Sequence, residues 1–364
     1  VTEKNAGLQY IETFTNSAEF GIISQKDFFD HSISKIGSLG GYYIVRSEDF
    51  VYNPRISVTA PVGPINRNKL GRNGVMSPLY TVFRPHEVDN TFLEHFFKSR
   101  YWHAYMNFNG DSGARSDRFS IKDDLFFQMP IPLPHIDEQK KIGECLTNLD
   151  NLITLHQRKY DKLVNIKKSM LGKMFPQNGA NVPEIRFAGF TDAWEQRKVR
   201  EVADRYDNLR IPVAANLRIP GSTPYYGANG IQDYVDGFTH DGEFVLVAED
   251  GANDLKNYPV KCVKGRIWVN NHAHVLQGKQ DSTDNRFLAY AISQADIESI
   301  LVGGSRAKLN AETLMEVLLF LPSKEEQSQI GDYMVHLDNL ITLHQRELEK
   351  LKNIKKSCLE KMFV

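Results

Sequence analysis

The sequence predicts an α+β fold that is built twice, with a variable domain and a long helix in each half. The ten-residue string LDNLITLHQR occurs at residues 149–158 and again at 337–346. At the resulting offset of 188 residues (337 − 149), the segment 133–175 aligns with its second copy without a gap. A period this long indicates a duplicated domain rather than a solenoid, because each copy is large enough to bury a core of its own.

Each copy carries an apolar stripe that begins at Ile142 in the first half and at Ile330 in the second. The apolar residues alternate between spacings of four and three, and no proline interrupts the stripe. This pattern predicts two amphipathic helices of about 37 residues, each about 55 Å long at 1.5 Å per residue. If a pseudo-two-fold axis relates the halves, the helices pair as an antiparallel coiled coil and hold the variable domains at opposite ends.

The repeat divides the chain into five segments. We expect a first variable domain over 1–131, a first helix over 132–175, and a linker with its lead-in over 176–197. A second variable domain over 198–320 and a second helix over 321–364 complete the division. The first-half equivalent of the lead-in would start at position −6 (182 − 188), so we expect the chain to lack roughly its first twenty residues.

The two variable domains match each other poorly, and both contain short β-type runs separated by Gly, Asn and Pro. The predicted strands are 42–45, 50–52, 79–83, 126–131, 244–247, 266–269, 274–276 and 317–321. Helical patterns are shorter and cover 91–105 and 286–300. Each variable domain is therefore predicted to be α+β, with much of its polar chemistry in loops.

Composition and charge bound the class of protein. With 41% hydrophobic and 24% charged residues, the chain resembles an ordinary globular protein, and no apolar run approaches the length of a membrane span. The net charge of −1 argues against an indiscriminate nucleic-acid binder but allows basic residues gathered on one face. Cys145, Cys262 and Cys358 lack C-x-x-C spacing. We therefore expect the three cysteines to be small buried hydrophobic residues in a reducing compartment. The default expectation for the location of the protein is the cytoplasm.

Basic and amide residues meet aromatic residues and glycines in the loops of both variable domains. Arg, Lys, Asn and Gln can pair with base edges, and glycine lets backbone N–H groups approach phosphates. Any single loop of this kind could be an ordinary solvated turn, but seven occur across the two domains. The candidate DNA-binding residues are Tyr52, Asn53, Arg55, Asn66, Arg67, Lys69, Arg72, Asn73, Asn109, Ser112, Arg115, Arg118, Tyr225, Tyr226, Asn229, Asn253, Asn270, Asn271, His272, Ser305, Arg306 and Lys308.

Arg118 and Arg306 superpose at the offset of 188 although the loops around them differ. Equivalent arginines on dissimilar loops suggest a shared task, and a phosphate contact fits a shared task better than the readout of different bases. The alternative is a structural arginine that pairs with an acid of its own domain, such as Glu312.

Signatures of catalysis and of metal binding are missing from the sequence. There is no G-x-G-x-x-G after a predicted strand, no Walker loop, and no Asp-Pro-Pro-Tyr-type element for methyl transfer to an exocyclic amine. His272 and His274 would share one strand face, but no third ligand has a recognisable spacing. Glu249, Asp250 and Asp254 are interpreted as turn and cap residues. We therefore assign no catalytic residue and no metal ligand.

The order of these pieces resembles the specificity subunit of type I restriction-modification enzymes. The resemblance rests on the duplicated layout, on the Leu-Pro-x-x-x-Glu-Gln motifs at 133–139 and 321–327, and on the lead-in Pro-Glu-Ile-Arg-Phe-x-Gly-Phe with its following Trp-Glu. The runs at 52–55 and 268–274 also look like recurring pieces of that family. The resemblance covers essentially the whole chain, apart from the expected N-terminal gap.

The resemblance implies two target-recognition domains, each reading one half of a split, asymmetric sequence in double-stranded DNA, with the helix pair fixing the unspecified gap. It implies that this chain is not itself an enzyme and holds no cofactor. Two methylation subunits would bind S-adenosylmethionine and modify adenines, and a motor-nuclease subunit would use ATP and Mg²⁺. The implied location is cytoplasmic, without a membrane partner.

Two alternatives remain open from the residues alone. A coiled-coil protein-interaction scaffold without DNA specificity would explain the helices, but the Arg, Asn and Gly loops would have no role. Such a scaffold would show no steep salt dependence of duplex binding. A solitary adenine methyltransferase with its own recognition domains would require the cofactor and catalytic motifs that the sequence lacks.

Overall fold

The computed structural model describes residues 1, 3–29, 36–111, 117–177, 179–303 and 307–363. The chain divides into two compact units. Unit 1 consists of Val1–Gln157 and Arg346–Val364, and unit 2 consists of Arg158–Gln345. Each unit therefore contains one variable domain together with a segment of each long helix.

Short strands that pair into small antiparallel sheets dominate the variable domain of unit 1. The strands are β1 (Phe14–Ser17), β2 (Gly21–Ser24), β3 (Tyr43–Val45), β4 (Phe50–Tyr52), β5 (Ile65–Arg67), β6 (Gly74–Met76) and β7 (Thr81–Phe83). The helices are α1 (Gln25–Phe29), α2 (Asn90–Lys98), α3 (Tyr101–Asn109) and α4 (Asp123–Phe127), with a 3-10 helix at Ile36–Gly41. The sheets join β1 with β2, β3 with β6, and β4 with both β5 and β7.

Aromatic side chains form much of the core of unit 1. Phe92, Phe96 and Phe97 of α2 pack with Trp102 of α3 and Phe50 of β4, and all five are buried. The Phe97 and Trp102 rings meet edge to face with centroids 5.7 Å apart, a favourable arrangement for aromatic pairs. These rings anchor α2 and thereby fix the position of its first turn.

A larger sheet is the centre of unit 2. After α5 (Ile136–Met174), which contributes to both units, the strands are β8 (Glu195–Lys198), β9 (Ala203–Arg205), β10 (Pro220–Gly227), β11 (Gly230–Val235), β12 (His240–Ala248), β13 (Val260–Val269), β14 (Ala273–Gly278) and β15 (Leu318–Leu321). The helices are α6 (Val199–Val202), α7 (Asn285–Ser293), α8 (Ala311–Glu316) and α9 (Lys324–Lys361), with 3-10 turns at Asp207–Leu209, Ala215–Leu217 and Glu298–Ile300.

The larger sheet has the strand order β11-β10-β13-β12-β14-β9, and β15 pairs separately with β8. Within the larger sheet, only β10 and β13 run parallel among the described strands. Successive side chains of β12 point to opposite faces. Val245 and Val247 therefore join the core beneath α7, whereas Phe244 and Leu246 join a second cluster on the other face.

The two repeat copies form helices of 39 residues (α5) and 38 residues (α9), which confirms the predicted long helices. In unit 1, Lys355 of α9 forms an ion pair with Asp150 of α5, and in unit 2, Lys167 of α5 forms one with Asp338 of α9. Each ion pair is the counterpart of the other at the offset of 188. Within each unit the early part of one long helix lies beside the late part of the other, so the predicted antiparallel pairing is confirmed.

The prediction of a strand over 126–131 is wrong. Asp123–Phe127 forms helix α4, and the described chain makes no strand between there and α5. Pro130 and Pro132 lack the N–H groups that a ladder needs. The β-branched and aromatic composition of this run therefore misled the prediction.

The two predicted short helices differ from the structure in their bounds, and the cysteines differ from the prediction in their burial. The pattern 91–105 breaks into α2 and α3 at Ser99, whose hydroxyl donates to the carbonyl oxygen of Phe96 at 2.6 Å. The pattern 286–300 ends as α7 at residue 293. Cys145 is exposed, and Cys262 and Cys358 are half-buried, so the prediction of buried cysteines is wrong. No described helix has the length and apolar content that a membrane crossing requires.

Candidate nucleic-acid interface

A buried glutamine near the start of α9 holds the first turn of α7 in unit 2. Gln327 is 1% exposed, and its Oε1 accepts a hydrogen bond from the backbone N–H of Asp284 at 3.1 Å. Its Nε2 donates to the carbonyl oxygens of Ser282 (3.0 Å) and Pro322 (2.9 Å). Asp284 is the N-cap of α7, and its carboxylate accepts bonds from the N–H groups of the first turn. Helix α9 therefore positions the capping residue of α7.

The same arrangement occurs in unit 1. Gln139 is 3% exposed, its Oε1 accepts from the backbone N–H of Asp89 at 2.9 Å, and its Nε2 donates to the carbonyl oxygen of Pro134 at 2.8 Å. Asp89 is the N-cap of α2. Gln139 and Gln327 are counterparts at the offset of 188, so the repeated Glu-Gln motif fastens each long helix to its variable domain.

A glycine one turn further along each long helix completes this contact. A Cβ atom on Gly143 would lie 3.0 Å from the backbone nitrogen of Phe92, and one on Gly331 would lie 3.2 Å from that of Phe287. Such distances are tighter than ordinary packing, so the close approach favours glycine. We call these residues the joint of each unit: Asp89, Gln139 and Gly143 in unit 1, and Asp284, Gln327 and Gly331 in unit 2.

Comparison of the halves at the fixed offset of 188 misses the variable-domain side of the joint. The string Asp-Asn-x-Phe-Leu occurs at 89–93 and again at 284–288, an offset of 195 (284 − 89). The two offsets differ because the stretch between this string and the long helix differs in length. A comparison that allows gaps identifies the joint from sequence.

Three candidate residues of unit 1 support its loops from inside the domain. Tyr52 is 2% exposed, and its hydroxyl donates to the carbonyl oxygen of Val62 at 2.9 Å. Burial raises the pKa of that hydroxyl. Asn53 and Asn66 donate to the backbone and side-chain oxygens of Asn16 at 2.8 and 2.7 Å. Tyr52 is thus buried whereas Asn53 and Asn66 are half-buried, and contact of the three side chains with DNA stays a prediction.

Two basic candidates surround a buried carboxylate. Arg67 and Lys69 lie 2.6 and 3.2 Å from the oxygens of Glu94, and Lys98 lies 3.0 Å away. Burial acts to raise the pKa of Glu94, but these cations outweigh it and lower the pKa to about 2. The Arg67 side chain is only 11% exposed and belongs to an internal ion pair, whereas that of Lys69 is 60% exposed and reaches solvent.

Three arginine candidates lie nearer the surface of unit 1. Arg72 forms a bidentate pair with Glu12, with both distances 2.8 Å. Arg55 lies 3.5 Å from Asp117, and both side chains are exposed. Arg118 faces Arg55 across an isolated antiparallel bridge, and its guanidinium has no ion pair within the described residues. These arginines can donate hydrogen bonds to a phosphate without leaving a buried carboxylate unpaired.

The remaining candidates of unit 1 are amides and residues outside the described chain. Asn73 accepts a bond from a backbone N–H at 3.1 Å. Asn109 donates to the carbonyl oxygen of Tyr105 at 3.0 Å. Ser112 and Arg115 lie outside the described residues.

Three candidates of unit 2 are also interior. Tyr225, Tyr226 and Asn270 are 1%, 6% and 4% exposed. The Tyr225 hydroxyl accepts from the N–H of Val213 at 2.9 Å, and Asn270 Oδ1 accepts from the N–H of His272 at 2.8 Å. The polar atoms of Tyr225 and Asn270 thus hold neighbouring loops, and contact of the three side chains with DNA stays a prediction.

The exposed candidates of unit 2 meet around the loop that follows β12. Asn229 donates to the carbonyl oxygen of Gly251 at 2.8 Å and accepts from the backbone N–H of Asn253 at 2.9 Å. Asn271 is exposed in the turn before β14. The turn after β10 is thus tied to the loop after β12.

The same loop is tied to the segments around His272 and Lys308. His272 Nδ1 lies 2.5 Å from the carboxylate of Asp250, and Asp250 forms an isolated antiparallel bridge with Lys308. Ser305 and Arg306 lie outside the described residues. We call the exposed set the β12 loop surface: Asn229, Asn253, Asn271, His272 and Lys308.

A network of charged side chains, most of them half-buried, adjoins the β12 loop surface. Glu249 accepts from Arg210 at 2.7 Å and from Lys308 at 2.9 Å. Asp207 pairs with Nδ1 of His274, which is 1% exposed, at 2.7 Å. Burial acts to raise the pKa values of Asp207 and Glu249, but these partners outweigh it and hold both carboxyl groups below their ordinary range. A satisfied network of this kind rigidifies the loops above it.

The ligand atoms of Asp207, Glu249 and His274 lie within 4.8 Å of one another, a spacing that a metal ion could use. However, Nε2 of His274 lies 2.8 Å from the carbonyl oxygen of Leu309, so both ring nitrogens already face hydrogen-bond acceptors. Arg210 in addition occupies Glu249. We therefore assign the cluster to support of the loop surface.

The sequence indicates the residues of the β12 loop surface but not the charged network that supports them. The prediction that His272 and His274 share a strand face is wrong, because β14 begins only at Ala273 and leaves His272 in the preceding turn. Asp207 and Arg210 carry no motif, and their roles depend on the pairing of β9 with β14. The only local signal is a histidine in an apolar strand, which indicates a buried polar partner.

Residues 8–165 and 191–353 each match the family model described as the type I restriction modification DNA specificity domain. One match falls on each variable domain with much of its long helix, and together they cover most of the chain. The chain belongs to this family.

Two relatives carry names from the same system. A protein of Haemophilus influenzae named as a type I restriction enzyme specificity subunit is 44% identical over 136 residues, which are 37% of this chain and 35% of that protein. The MjaVIII specificity subunit of Methanocaldococcus jannaschii is 24% identical over 264 residues, which are 65% of this chain and 61% of that protein. The chain thus matches less than two thirds of the length of either relative.

The fold is shared with a solved structure. The type I restriction-modification S subunit from M. genitalium superposes with a TM-score of 0.63 at 13% identity, covering 100% of this chain and 90% of that chain. At this identity the likeness demonstrates a common fold.

Proposed function

We propose that this chain is the DNA-recognition subunit of a type I restriction-modification system. It recognises a bipartite, asymmetric target in double-stranded DNA, one half with each unit. The observation that carries the proposal is the double match to a DNA specificity domain, one in each variable domain. The joints of the two units are equivalent, whereas the loops that they support differ. Equivalent supports beneath different loops suit two domains that recognise different sequences.

The β12 loop surface supplies the chemistry that unit 2 needs. Asparagine amides can pair with adenine edges, and the Lys308 ammonium and the His272 imidazole can reach phosphates. Lys308 is 47% exposed although it pairs with Glu249. Glu249 of the charged network holds Lys308, and Asp250 holds His272, before DNA arrives, which reduces the entropic cost of binding.

In unit 1, arginines at or near the surface fill the corresponding role. Arg118 contacts a phosphate, since its backbone pairs with that of Arg55 and its guanidinium has no carboxylate partner within the described part of the chain. Lys69 and Arg72 lie at the surface, where they add positive charge. Amide side chains and backbone groups of the same loops form the hydrogen bonds to base edges.

Catalysis belongs to partner subunits in this proposal. Two methylation subunits bind S-adenosylmethionine and modify adenines, and a motor-nuclease subunit uses ATP and Mg²⁺ in the cytoplasm. The names of the two relatives support this division, because both are specificity subunits of type I restriction enzymes.

The test is selection of bound duplexes from a random library by the full chain, assembled with its methylation subunits, at several salt concentrations. We expect two fixed sequence clusters separated by a constant gap. The logarithm of affinity should fall linearly with the logarithm of salt concentration, because phosphate contacts release counterions. Binding that is independent of salt and enriches no sequence would instead identify a protein scaffold.

A further inference from the structure

A five-residue string occurs twice in the segment that connects β9 to β10. The string Asn-Leu-Arg-Ile-Pro stands at 208–212 and again at 216–220, eight residues apart (216 − 208). In each copy a 3-10 turn, Asp207–Leu209 or Ala215–Leu217, ends at the leucine, and the arginine follows it in extended conformation. We call residues 207–219 the strap. Because the two copies share their local structure, their side chains can be compared position by position.

The arginine of the first copy points into unit 2. Nη1 of Arg210 donates to the carboxylate of Glu249 at 2.7 Å and to the carbonyl oxygen of Ala273 at 2.9 Å. Its Nε donates to the carbonyl oxygen of Asp207 at 3.1 Å. The Arg210 side chain is only 16% exposed. The charged network therefore holds this arginine inside the unit.

The arginine of the second copy is also turned inward, but onto an aromatic ring. The guanidinium of Arg218 lies 4.1 Å from the centroid of the Tyr225 ring, which is a cation–π contact. Its Nε donates to the carbonyl oxygen of Val213 at 3.1 Å, and its Nη1 lies 3.3 Å from the carboxylate of Asp233. The Arg218 side chain is only 15% exposed. Both copies of the string therefore cover their arginine.

The aliphatic side chains of both copies face solvent instead. Their exposed fractions are 43% for Leu209, 50% for Ile211, 70% for Leu217 and 68% for Ile219. Long charged side chains ordinarily face water while aliphatic ones are buried, so both copies reverse the usual arrangement. We call these four side chains the strap strip. One exposed aliphatic residue needs no explanation, but a repeated set of four marks an interaction surface.

Hydrogen bonds to the sheet fix the backbone of the strap. The N–H of Ile211 donates to the carbonyl oxygen of Val269 at 3.1 Å, and Nε1 of Trp268 donates to the carbonyl oxygen of Ile211 at 2.7 Å. At the other end, the N–H of Asp236 donates to the carbonyl oxygen of Ile219 at 2.8 Å. The strap cannot turn its leucines and isoleucines inward without breaking these bonds. The exposure of the strap strip is therefore a property of the folded unit.

The strap strip has the chemistry of an interface between proteins rather than that of a contact with DNA. Binding to the phosphate backbone depends on cations. The three charged side chains of the strap, Asp207, Arg210 and Arg218, are each at most 16% exposed. An exposed group of aliphatic side chains is stabilised by burial against another apolar surface. The matching occupant is an apolar and uncharged protein surface.

The strap strip begins beside the β12 loop surface. Arg210, which lies between Leu209 and Ile211 in the chain, shares the Glu249 carboxylate with Lys308 of that surface, at 2.7 and 2.9 Å. A protein seated on the strip therefore lies next to the DNA that the β12 loop surface holds in the proposed function. In that function, the methylation subunit is the partner that must reach a base close to the half-site.

We propose that the strap strip is the docking surface of unit 2 for a methylation subunit, which meets it with an apolar surface of its own. This inference rests on the proposed function and adds the place of contact beside one half-site. The buried arginines stabilise the strap in the form that the partner binds. The isoleucines and leucines of the strip supply the apolar area that the contact buries.

The test measures the affinity of the methylation subunit for the full chain by sedimentation velocity in the absence of DNA. Leu217→Ser combined with Ile219→Ser should weaken binding of one methylation subunit per chain about tenfold or more, because apolar anchors of an interface are lost. Leu217→Met should retain the affinity, because it preserves apolar volume. The matched control is Leu318→Ser on β15, a 51% exposed leucine outside the strap, which should bind as tightly as the unaltered chain.

Three results would overturn the docking proposal. The first is equal affinity of the methylation subunit for the double variant and the unaltered chain. The second is a dimer of the unaltered chain alone that the double variant abolishes, because a second copy would then cover the strip. The third is a loss of duplex affinity by the double variant alone, because DNA would then be the occupant.

Duplex selection by the assembled complex separates this proposal from the proposed function. A complex of the unaltered chain that enriches no sequence contradicts the proposed function, and the docking proposal falls with it. Sequence enrichment together with undiminished affinity of the double variant for the methylation subunit contradicts the docking proposal alone. Far-ultraviolet circular dichroism and thermal melting establish that each surface variant is folded.

Discussion

At the scale of single residues, the few residues of each joint connect the variable domain to its long helix. Gln327 makes three hydrogen bonds while 1% exposed, and Gln139 repeats the contact to a capping aspartate. Buried polar groups that lose their partners are costly, so these glutamines matter more than their size suggests.

Replacement of the glutamine tests this. Gln327→Ala should lower the free energy of unfolding by about 2–3 kcal/mol, because it leaves the N–H of Asp284 and the carbonyl of Ser282 unpaired and opens a small cavity. Gln345→Ala, at an exposed position of the same helix, should change it by no more than about 0.5 kcal/mol. Urea unfolding of both variants is the measurement. Equal effects would show that the joint has no special energetic role.

The joint glycine has a control within the same helix. Gly143→Ala should destabilise unit 1 by about 1–3 kcal/mol, because the new Cβ would lie 3.0 Å from the backbone nitrogen of Phe92. A Cβ on Gly172 of α5 would meet nothing within 4 Å, so Gly172→Ala should stabilise by up to about 1 kcal/mol through helix propensity. Thermal melting of the two variants should therefore shift in opposite directions. Shifts of the same sign would contradict the close contact.

The buried carboxylate of unit 1 predicts a dependence of stability on pH. The pKa of Glu94 is lowered from 4.5 to about 2 in the folded chain. Its stabilising contribution is therefore fully present above pH 4.5 and is lost as the pH falls towards 2. At neutral pH, Glu94→Gln should cost on the order of 2 kcal/mol, and the difference from the unaltered chain should shrink as the pH falls below 4.5. Denaturant unfolding across this range is the measurement, and a constant difference would contradict the ion cluster.

Sequence indicates which residue types occupy the loops but not which of them are exposed. Tyr52, Tyr225 and Asn270 lie in sequence runs whose composition is typical of surface loops. Their side chains are nevertheless only 2%, 1% and 4% exposed. Their burial depends on contacts with residues distant in sequence, such as the bond between Tyr225 and Val213. A local pattern carries no information about such contacts.

At the scale of elements, the long helices are predictable because their signal is local and periodic. The stripe beginning at Ile142 lies within one continuous helix, as predicted. In contrast, β8 and β15 pair residues as far apart as Glu195 and Leu321. The capping strings of α2 and α7 are visible in sequence only when the comparison of the two halves allows a change of offset.

Lengthening both long helices tests their role as a spacer. One heptad inserted after Lys159, with another after its counterpart Glu347, adds about 10 Å at 1.5 Å per residue. The gap between half-sites should increase by about three base pairs at roughly 3.4 Å each, with both half-sites preserved. Duplex selection reads the gap directly. An unchanged gap with undiminished binding would show that the helices do not set it.

At the scale of the whole molecule, the duplication accounts for the proposed division of recognition between two units. The repeated joint and long helices are shared, while the loops diverge, so each variable domain can change without disturbing its support. The repeat is evident in sequence, and the family match falls once on each half.

Exchange of one variable domain tests the central claim most directly. Residues 198–320 are replaced by the corresponding domain of another family member, and the target of the assembled complex is determined by duplex selection before and after. The account predicts that one half-site changes while the other half-site and the gap between them remain the same. A change in both half-sites, or in neither, would contradict recognition of one half-site by each unit.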